Sequence, residues 1–160
     1  MNRHDFLRLA ACILVCQAAG AIGSVFTVTS LDSWYASLAK PSFNPPGWVF
    51  GPVWTTLYTL MGIAAWLVWR RGDLSSPPVR NALFIFAAQL ALNTLWSAFF
   101  FGLKSPLLAL VDIVALMAAI LATITAFKPV SPAAAWLMTP YLAWVAFAAI
   151  LNAAIWRLNP

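Results

Sequence analysis

Five long apolar stretches divide the chain. Each holds about 20 or more mostly apolar residues, the length that a helix needs to cross the hydrocarbon core of a bilayer. Short links that contain charged residues or proline separate most of them. The stretches are residues 6–28, 48–69, 82–103, 106–127 and 132–156. The pattern predicts an all-α fold, an integral membrane bundle of five transmembrane helices that forms a single domain.

The connection at residues 29–47 is the longest between two stretches. A loop of this length in a compact protein is usually functional. Asp32 or Ser33 is positioned to cap a short helix that runs to Ala39 and ends before Lys40 and Pro41. The aromatic residues of the loop predict that it packs onto the helices as a lid.

Charge is scarce and is placed at the ends of the stretches. Only 8% of the residues are charged, against about 25% in a soluble domain, so lipid must solvate most of the surface. The net charge of +5 does not indicate nucleic-acid binding, because the cations stand apart between apolar stretches. One side of the predicted bundle carries Arg3, Arg8, Arg70, Arg71, Arg80 and Lys128, and the other carries Lys40, Lys104 and Arg157. The positive-inside rule then predicts a cytoplasmic amino terminus and an outward-facing long loop.

Conventional catalytic groups are poorly represented. His4, at the amino terminus, is the one histidine of the sequence. Cys12 and Cys16 stand one turn apart in the first stretch and are interpreted as small buried or lipid-facing side chains. No cluster has the spacing of metal ligands. The sequence predicts no metal site and no cofactor.

Aromatic and amide side chains share helical faces in three stretches. The faces hold Trp54 and Tyr58 in the second, Gln89, Asn93, Trp96 and Phe100 in the third, and Tyr141, Trp144, Ala148 and Asn152 in the fifth. Amides at membrane depth need partners. They either bond neighbouring helices together or line a cavity, and both readings stay open. If the faces converge, their flat walls suit a planar hydrophobic molecule.

Two further residues bear on structure and function within the spans. Asp112 is the one acid inside a predicted span, and such an acid is by default a functional candidate. It lies about two turns from the start of its span, so a contact with the membrane interface or with a neighbouring group is the favoured interpretation. Pro140 is expected to kink the fifth span.

Three blocks of the chain resemble the translocator protein family (TspO/MBR), also called tryptophan-rich sensory proteins or peripheral-type benzodiazepine receptors. The blocks are WYASLAKPSFNPPGWVFGPVWTTLY at residues 34–58, QLALNTLWSAFF at 89–100 and PYLAWVAFAAILN at 140–152. They occur in the order that the family shows, and the resemblance covers nearly the whole chain.

The resemblance implies a five-helix bundle, often a homodimer, whose pocket beneath the first loop binds porphyrins such as protoporphyrin IX. The pocket residues implied by position are Tyr35, Pro45, Trp54, Tyr58, Asn93, Trp96, Trp144 and Ala148. The resemblance to some bacterial members also implies light-dependent porphyrin breakdown that needs the tryptophans matching Trp54 and Trp144. Animal members have a tyrosine of a cholesterol-recognition pattern where this chain has Ala153, so tight sterol binding is not expected.

Three functional hypotheses compete. The leading one is a membrane receptor or carrier for a planar hydrophobic ligand, a tetrapyrrole, that stacks on the tryptophans and places its carboxylates near Lys40. The second is an enzyme that degrades the porphyrin in light, with Trp54 and Trp144 as electron donors. The third is a structural or regulatory membrane protein that responds to lipids or stress. The expected partners are the ligand, membrane lipid and a second copy of the chain, and nucleic acid is not among them.

Overall fold

The protein is a bundle of long helices. The computed structural model describes residues 3–160, and within that range it contains helices and no strands. The helices are α1 Arg3–Val28, α2 Gly47–Trp69, α3 Pro77–Ser97, α4 Pro106–Phe127, α5 Pro132–Leu137 and α6 Thr139–Leu158. With α5 and α6 counted as one, 5 spans are long and apolar enough to cross a membrane. The predicted all-α, five-span membrane fold is confirmed.

Serine and proline start three of the spans. α3, α4 and α5 each begin with a proline directly after a serine, where the missing N–H of proline costs little. The hydroxyls of Ser105 and Ser131 accept hydrogen bonds from backbone N–H groups in the first turns of α4 and α5. α3 begins at Pro77, ahead of its apolar stretch, because this start signal does not depend on hydrophobicity.

The segment that follows α1 contains the predicted short helical run, at residues 31–37, but without the predicted cap. Residues Leu31–Tyr35 form a π-helical turn, and Asp32 and Ser33 lie inside it without capping it. Ser30 precedes the turn, but its hydroxyl donates to the carbonyl oxygen of Phe101 at 2.9 Å. The start of the loop is therefore fixed by a neighbouring span and not by a helix cap of its own.

The fifth span breaks just before Pro140, the residue at which the sequence predicts a kink. The helix is interrupted at Met138, between α5 and α6, and Pro140 lies in the first turn of α6. Proline cannot supply the N–H that continues a helical ladder. The carbonyl oxygen of Trp136, which such a break leaves without its helical partner, accepts a hydrogen bond from the Thr139 hydroxyl at 2.8 Å.

The spans close into a ring. Going round it, α1 is followed by α2, the α5–α6 span, α4 and α3, and α3 contacts α1 again. The loop after α1 and the turn between α3 and α4 lie at one end, which we call the loop end. The start of α1 and the end of α2 lie at the other, where Asp5 pairs with Arg70, and we call it the basic end.

The contact between α1 and α2 depends on a glycine. A Cβ atom at Gly62 would lie 2.6 Å from the Cα atom and 2.9 Å from the backbone nitrogen of Ile13. We expect Gly62→Ala to push the two helices apart and to lower the free energy of unfolding by about 1–3 kcal/mol, as overpacking does. Thermal unfolding in detergent measures this.

Gly47→Ala is the matched control, since a Cβ atom there meets nothing within 4 Å. We expect it to change stability by less than about 0.5 kcal/mol. Equal melting temperatures for the two variants would contradict the role given to Gly62.

Candidate functional site: an aromatic cavity beneath the loop

Four spans enclose a small cavity. Its lining is Trp54 from α2, Asn93 and Trp96 from α3, Ile113 and Leu116 from α4, and Val145 and Ala148 from α6. The free volume is about 10 Å³, room for about one water molecule. The aromatic and amide faces predicted for α2, α3 and the fifth span therefore each contribute residues to one cavity inside the ring.

Asn93 joins three helices at this point. The Tyr58 hydroxyl of α2 donates to Asn93 Oδ1 at 2.5 Å, and Asn93 Nδ2 donates to the Tyr141 hydroxyl oxygen of α6 at 3.0 Å. All three side chains are buried. The sequence left open whether such an amide bonds to helices or lines a cavity, and Asn93 does both.

Asn152 makes a second connection between helices. Its Oδ1 accepts a hydrogen bond from Trp96 Nε1 at 3.1 Å, and its Nδ2 donates to the carbonyl oxygen of Pro106 at 2.8 Å. These bonds fix the indole of Trp96 against the cavity and tie α3 to α4 and α6. Asn152 supports the cavity wall without lining it.

Stacked aromatic rings form the walls. Trp54 stacks on Tyr58 with ring centroids 5.5 Å apart, and it meets Tyr141 edge-on at 6.3 Å. Trp96 stacks on Phe100 with centroids 5.1 Å apart. Each of these two indole rings therefore already has another aromatic ring stacked on one of its faces.

Trp144 lies beside the cavity and does not line it. Its ring meets Phe50 at 5.9 Å and Phe147 at 5.5 Å. Phe147 in turn meets Phe43 of the loop at 6.5 Å. A row of aromatic rings thus leads from the loop to the edge of the cavity.

Tyr35 and Pro45 belong to the loop that covers the bundle. The Tyr35 ring packs on Phe101 at 5.6 Å, and its hydroxyl donates to Asn44 Oδ1 at 3.2 Å. Burial raises the pKa of Tyr35, against a smaller lowering by the bond to Asn44, so the hydroxyl keeps its proton. Asn44 Nδ2 donates to the Pro45 carbonyl oxygen at 3.2 Å. We call residues 29–46 the roof.

The amino group of Lys40 contacts other residues of the roof. It lies 4.7 Å from the centroid of the Tyr35 ring and donates to the carbonyl oxygen of Leu38 at 3.1 Å. A ligand carboxylate that met Lys40 would have to replace these weak contacts.

The carboxyl-terminal segment fastens the roof. Asn159 Oδ1 accepts from the backbone N–H of Ala39 at 3.0 Å, and Asn159 Nδ2 donates to the carbonyl oxygen of Ala39, also at 3.0 Å. We call this pair of bonds the latch. Sequence analysis missed it, because a single asparagine beyond the last helix gives no periodic signal.

Asp112 and Gln89 are buried polar residues outside the cavity lining. Asp112 is 6% exposed, so its side chain is buried within the bundle. Within residues 3–160, its Oδ2 atom and the Oε1 atom of Gln89 have no hydrogen-bond partner. Gln89 Nε2 lies 4.0 Å from the sulfur of Met61. The predicted polar and aromatic face of α3 therefore continues past the cavity, because Gln89 belongs to that face but does not line the cavity.

Comparison with known proteins identifies the family. A sequence model of the TspO/MBR family matches residues 12–157. The chain belongs to the TspO/MBR family. It is 46% identical to the Tryptophan-rich protein TspO of Archaeoglobus fulgidus over 97% of this chain and 99% of that protein. For the namesake protein of Chlorobaculum tepidum, the identity is 47% over the full length of both. The Translocator protein of Homo sapiens is 45% identical over 86% of this chain and 82% of its own length.

These similarities confirm the family that the three sequence blocks indicated. The chain aligns with the two TspO relatives over almost its whole length. Together with the five apolar spans, this identifies it as a multi-pass membrane protein of the family.

We expect the latch to control how tightly the roof is held. Asn159→Ala removes both bonds to Ala39, which should cost about 1–2 kcal/mol and speed amide hydrogen exchange in the roof by about 5- to 30-fold. Mass spectrometry of exchanged protein in lipid nanodiscs measures this, with α4 as the internal reference.

Asn159→Asp is the graded control. It keeps an oxygen for the Ala39 N–H but loses the donor to the Ala39 carbonyl, so exchange should be intermediate. Roof exchange that is the same in all three proteins would show that the latch does not hold the roof.

Proposed function

We propose that this protein is a membrane receptor or carrier for a planar hydrophobic molecule, namely a tetrapyrrole such as protoporphyrin IX. The proposed site consists of Tyr35, Pro45, Trp54, Tyr58, Asn93, Trp96, Trp144 and Ala148. The observation that supports it most is convergence: Trp54, Asn93, Trp96 and Ala148 come from three helices and line one cavity.

The size of the cavity means that binding must move its walls. Pockets for organic ligands have volumes of about 300–1,000 Å³, and this one has about 10 Å³. A macrocycle would have to part the Trp54–Tyr58 and Trp96–Phe100 stacks. Because the ligand is itself flat and aromatic, new stacking contacts would offset those that are lost.

The roof offers the route by which the walls can open. Its hydrogen bonds to the spans, such as Ser30 to Phe101 and the Asn159 latch, are few. Segments held in this way open at lower free energy than packed helices. A porphyrin carboxylate at the roof would find Lys40, and a charge-assisted bond would replace its present contacts with carbonyl oxygens.

The names of the relatives support a carrier or sensor. The human relative is called Translocator protein, and the relative from Cereibacter sphaeroides, 41% identical over 89% of this chain, is called Tryptophan-rich sensory protein. Both roles require that a ligand enter and leave, which suits a cavity beneath a latched roof.

A titration of the protein with protoporphyrin IX in nanodiscs, kept dark and followed by porphyrin absorbance, tests the proposal. We expect saturable binding to the unmodified protein. Trp54→Ala should weaken the binding free energy by about 1–3 kcal/mol, since it removes a stacking wall.

Trp136→Ala is the matched control, because Trp136 is 74% exposed on α5, away from the cavity. It should bind porphyrin as tightly as the unmodified protein. Linear, non-saturating uptake in all three proteins would mean that porphyrin only partitions into lipid. That result would favour the structural or regulatory hypothesis.

The stack of Trp54 on Tyr58 favours a second candidate, light-dependent porphyrin degradation. An indole in the wall would give one electron to the photoexcited porphyrin, which leaves an indole radical cation and a porphyrin radical anion, and this step needs no acid or histidine. Under light, Trp54→Phe and Trp144→Phe should then abolish the loss of porphyrin absorbance while dark binding persists, and Trp136→Phe should change neither. Persistent bleaching in both cavity-side variants would contradict this role.

A further inference from the structure

An open cleft lies at the basic end, far from the roof. It has a volume of about 490 Å³ and is lined by His4, Asp5 and Arg8 of α1 and by Arg70 at the end of α2. Two tryptophans of α2 contact its arginines. Nothing in the proposed function uses this cleft.

Indole rings position both arginines. The guanidinium carbon of Arg8 lies 5.2 Å from the ring centroid of Trp69, and that of Arg70 lies 4.6 Å from the ring centroid of Trp66. A guanidinium over an aromatic face keeps its charge and its planar set of N–H donors. Both cations are therefore held in place by contacts that leave donors available for an anion.

Among the described residues, Asp5 and Asp73 form only one ion pair with the cations of this end. Asp5 lies 3.6 Å from Arg70 and also accepts a hydrogen bond from Trp66 Nε1 at 2.9 Å. Asp73 accepts a hydrogen bond from the Ser75 amide at 3.0 Å. Within residues 3–160 the Asp5–Arg70 contact is the one ion pair, so Arg8 has no carboxylate at ion-pair distance.

Further cations lie at the same end of the bundle as the cleft. The helix ends of the basic end also carry Arg3, Arg71, Arg80 and Lys128. Two arginines with planar donors inside a field of positive charge match the oxygens of a phosphate group, to which arginine can bind with two parallel hydrogen bonds.

The surroundings favour a lipid phosphate over a free one. Tryptophans near span ends lie at the depth of lipid headgroups, and Trp66 and Trp69 end α2 beside the cleft. The adjoining outer surface of α1 is apolar and exposed, with Leu7, Leu14 and Val15 each more than half exposed. One anionic phospholipid fits both features, with its phosphate in the cleft and its acyl chains along α1.

We propose that the cleft between α1 and α2 binds the phosphate headgroup of an anionic phospholipid through Arg8 and Arg70. Basic pockets between membrane helices are known to take such headgroups. The site is separate from the aromatic cavity and does not depend on the function proposed for it.

The test compares short-chain phosphatidylglycerol with phosphatidylcholine, each titrated onto the full-length protein in detergent and counted by native mass spectrometry. We expect the unmodified protein to bind phosphatidylglycerol about tenfold more tightly. Arg8→Gln, which keeps the Asp5–Arg70 pair, should remove most of this preference. Arg8→Lys, which keeps the charge but loses the planar donors, should retain part of it.

Arg157→Gln is the matched control, because it removes an exposed cation from the last turn of α6 at the loop end. It should keep the preference for phosphatidylglycerol. The proposal is overturned if the unmodified protein shows no preference, or if Arg8→Gln and Arg157→Gln lose equal affinity. Competition by glycerol 3-phosphate at the same affinity as the lipid would identify a free-phosphate site and would also overturn it.

If Arg8→Gln does not fold, the lipid preference of the unmodified protein and the partial loss in Arg8→Lys decide the question. Dark porphyrin binding, measured in parallel, should be the same in Arg8→Gln as in the unmodified protein. The lipid measurement thus tests the proposed lipid site, and the porphyrin measurement tests the proposed tetrapyrrole function, independently of each other.

Discussion

The hydrogen bonds of Asn93 hold three spans in one arrangement at the depth of the cavity. The side chain accepts from Tyr58 of α2 and donates to Tyr141 of α6. The hydrocarbon core of a membrane offers no replacement partners, so parting these helices would leave polar groups unpaired. Trp54 rests on Tyr58 and against Tyr141. The position of this cavity wall therefore depends on the amide that joins the two tyrosines.

The two ends of the bundle are stabilised by different contacts. At the basic end, Asp5, Arg70 and Trp66 form a connected ionic and aromatic cluster between α1 and α2. At the loop end, the roof is held by ring contacts and a few hydrogen bonds, such as those of Asn159. Any opening of the cavity is thus expected at the roof, while the contacts of the basic end hold α1 against α2.

The sequence predicted which residues share a helical face better than it predicted which of them reach the cavity. A helical period places Gln89, Asn93 and Trp96 on one face, and the structure buries or half-buries all three. Periodicity cannot tell at which level a face meets the cavity, and Gln89 lies outside it. The walls made by Ile113, Leu116 and Val145 gave no signal, because apolar residues are ordinary in a membrane span. Nor could the latch be foreseen, since it pairs residues at positions 39 and 159 that no local pattern connects.

For the ligand proposed above, the packing of the ring of helices indicates a place of entry. α2 meets the fifth span mainly through α5, near the basic end, and only slightly through α6. The thinly packed part of this seam lies beside Trp54 and Trp144, and aromatic contacts lead from there through Phe147 to Phe43 in the roof. Asn93 closes the seam from below through its bonds to the tyrosines of both helices. A planar molecule that lifted the roof would slide between α2 and α6 until it reached this amide, so Asn93 would set the depth of the site and the tryptophans its flat walls.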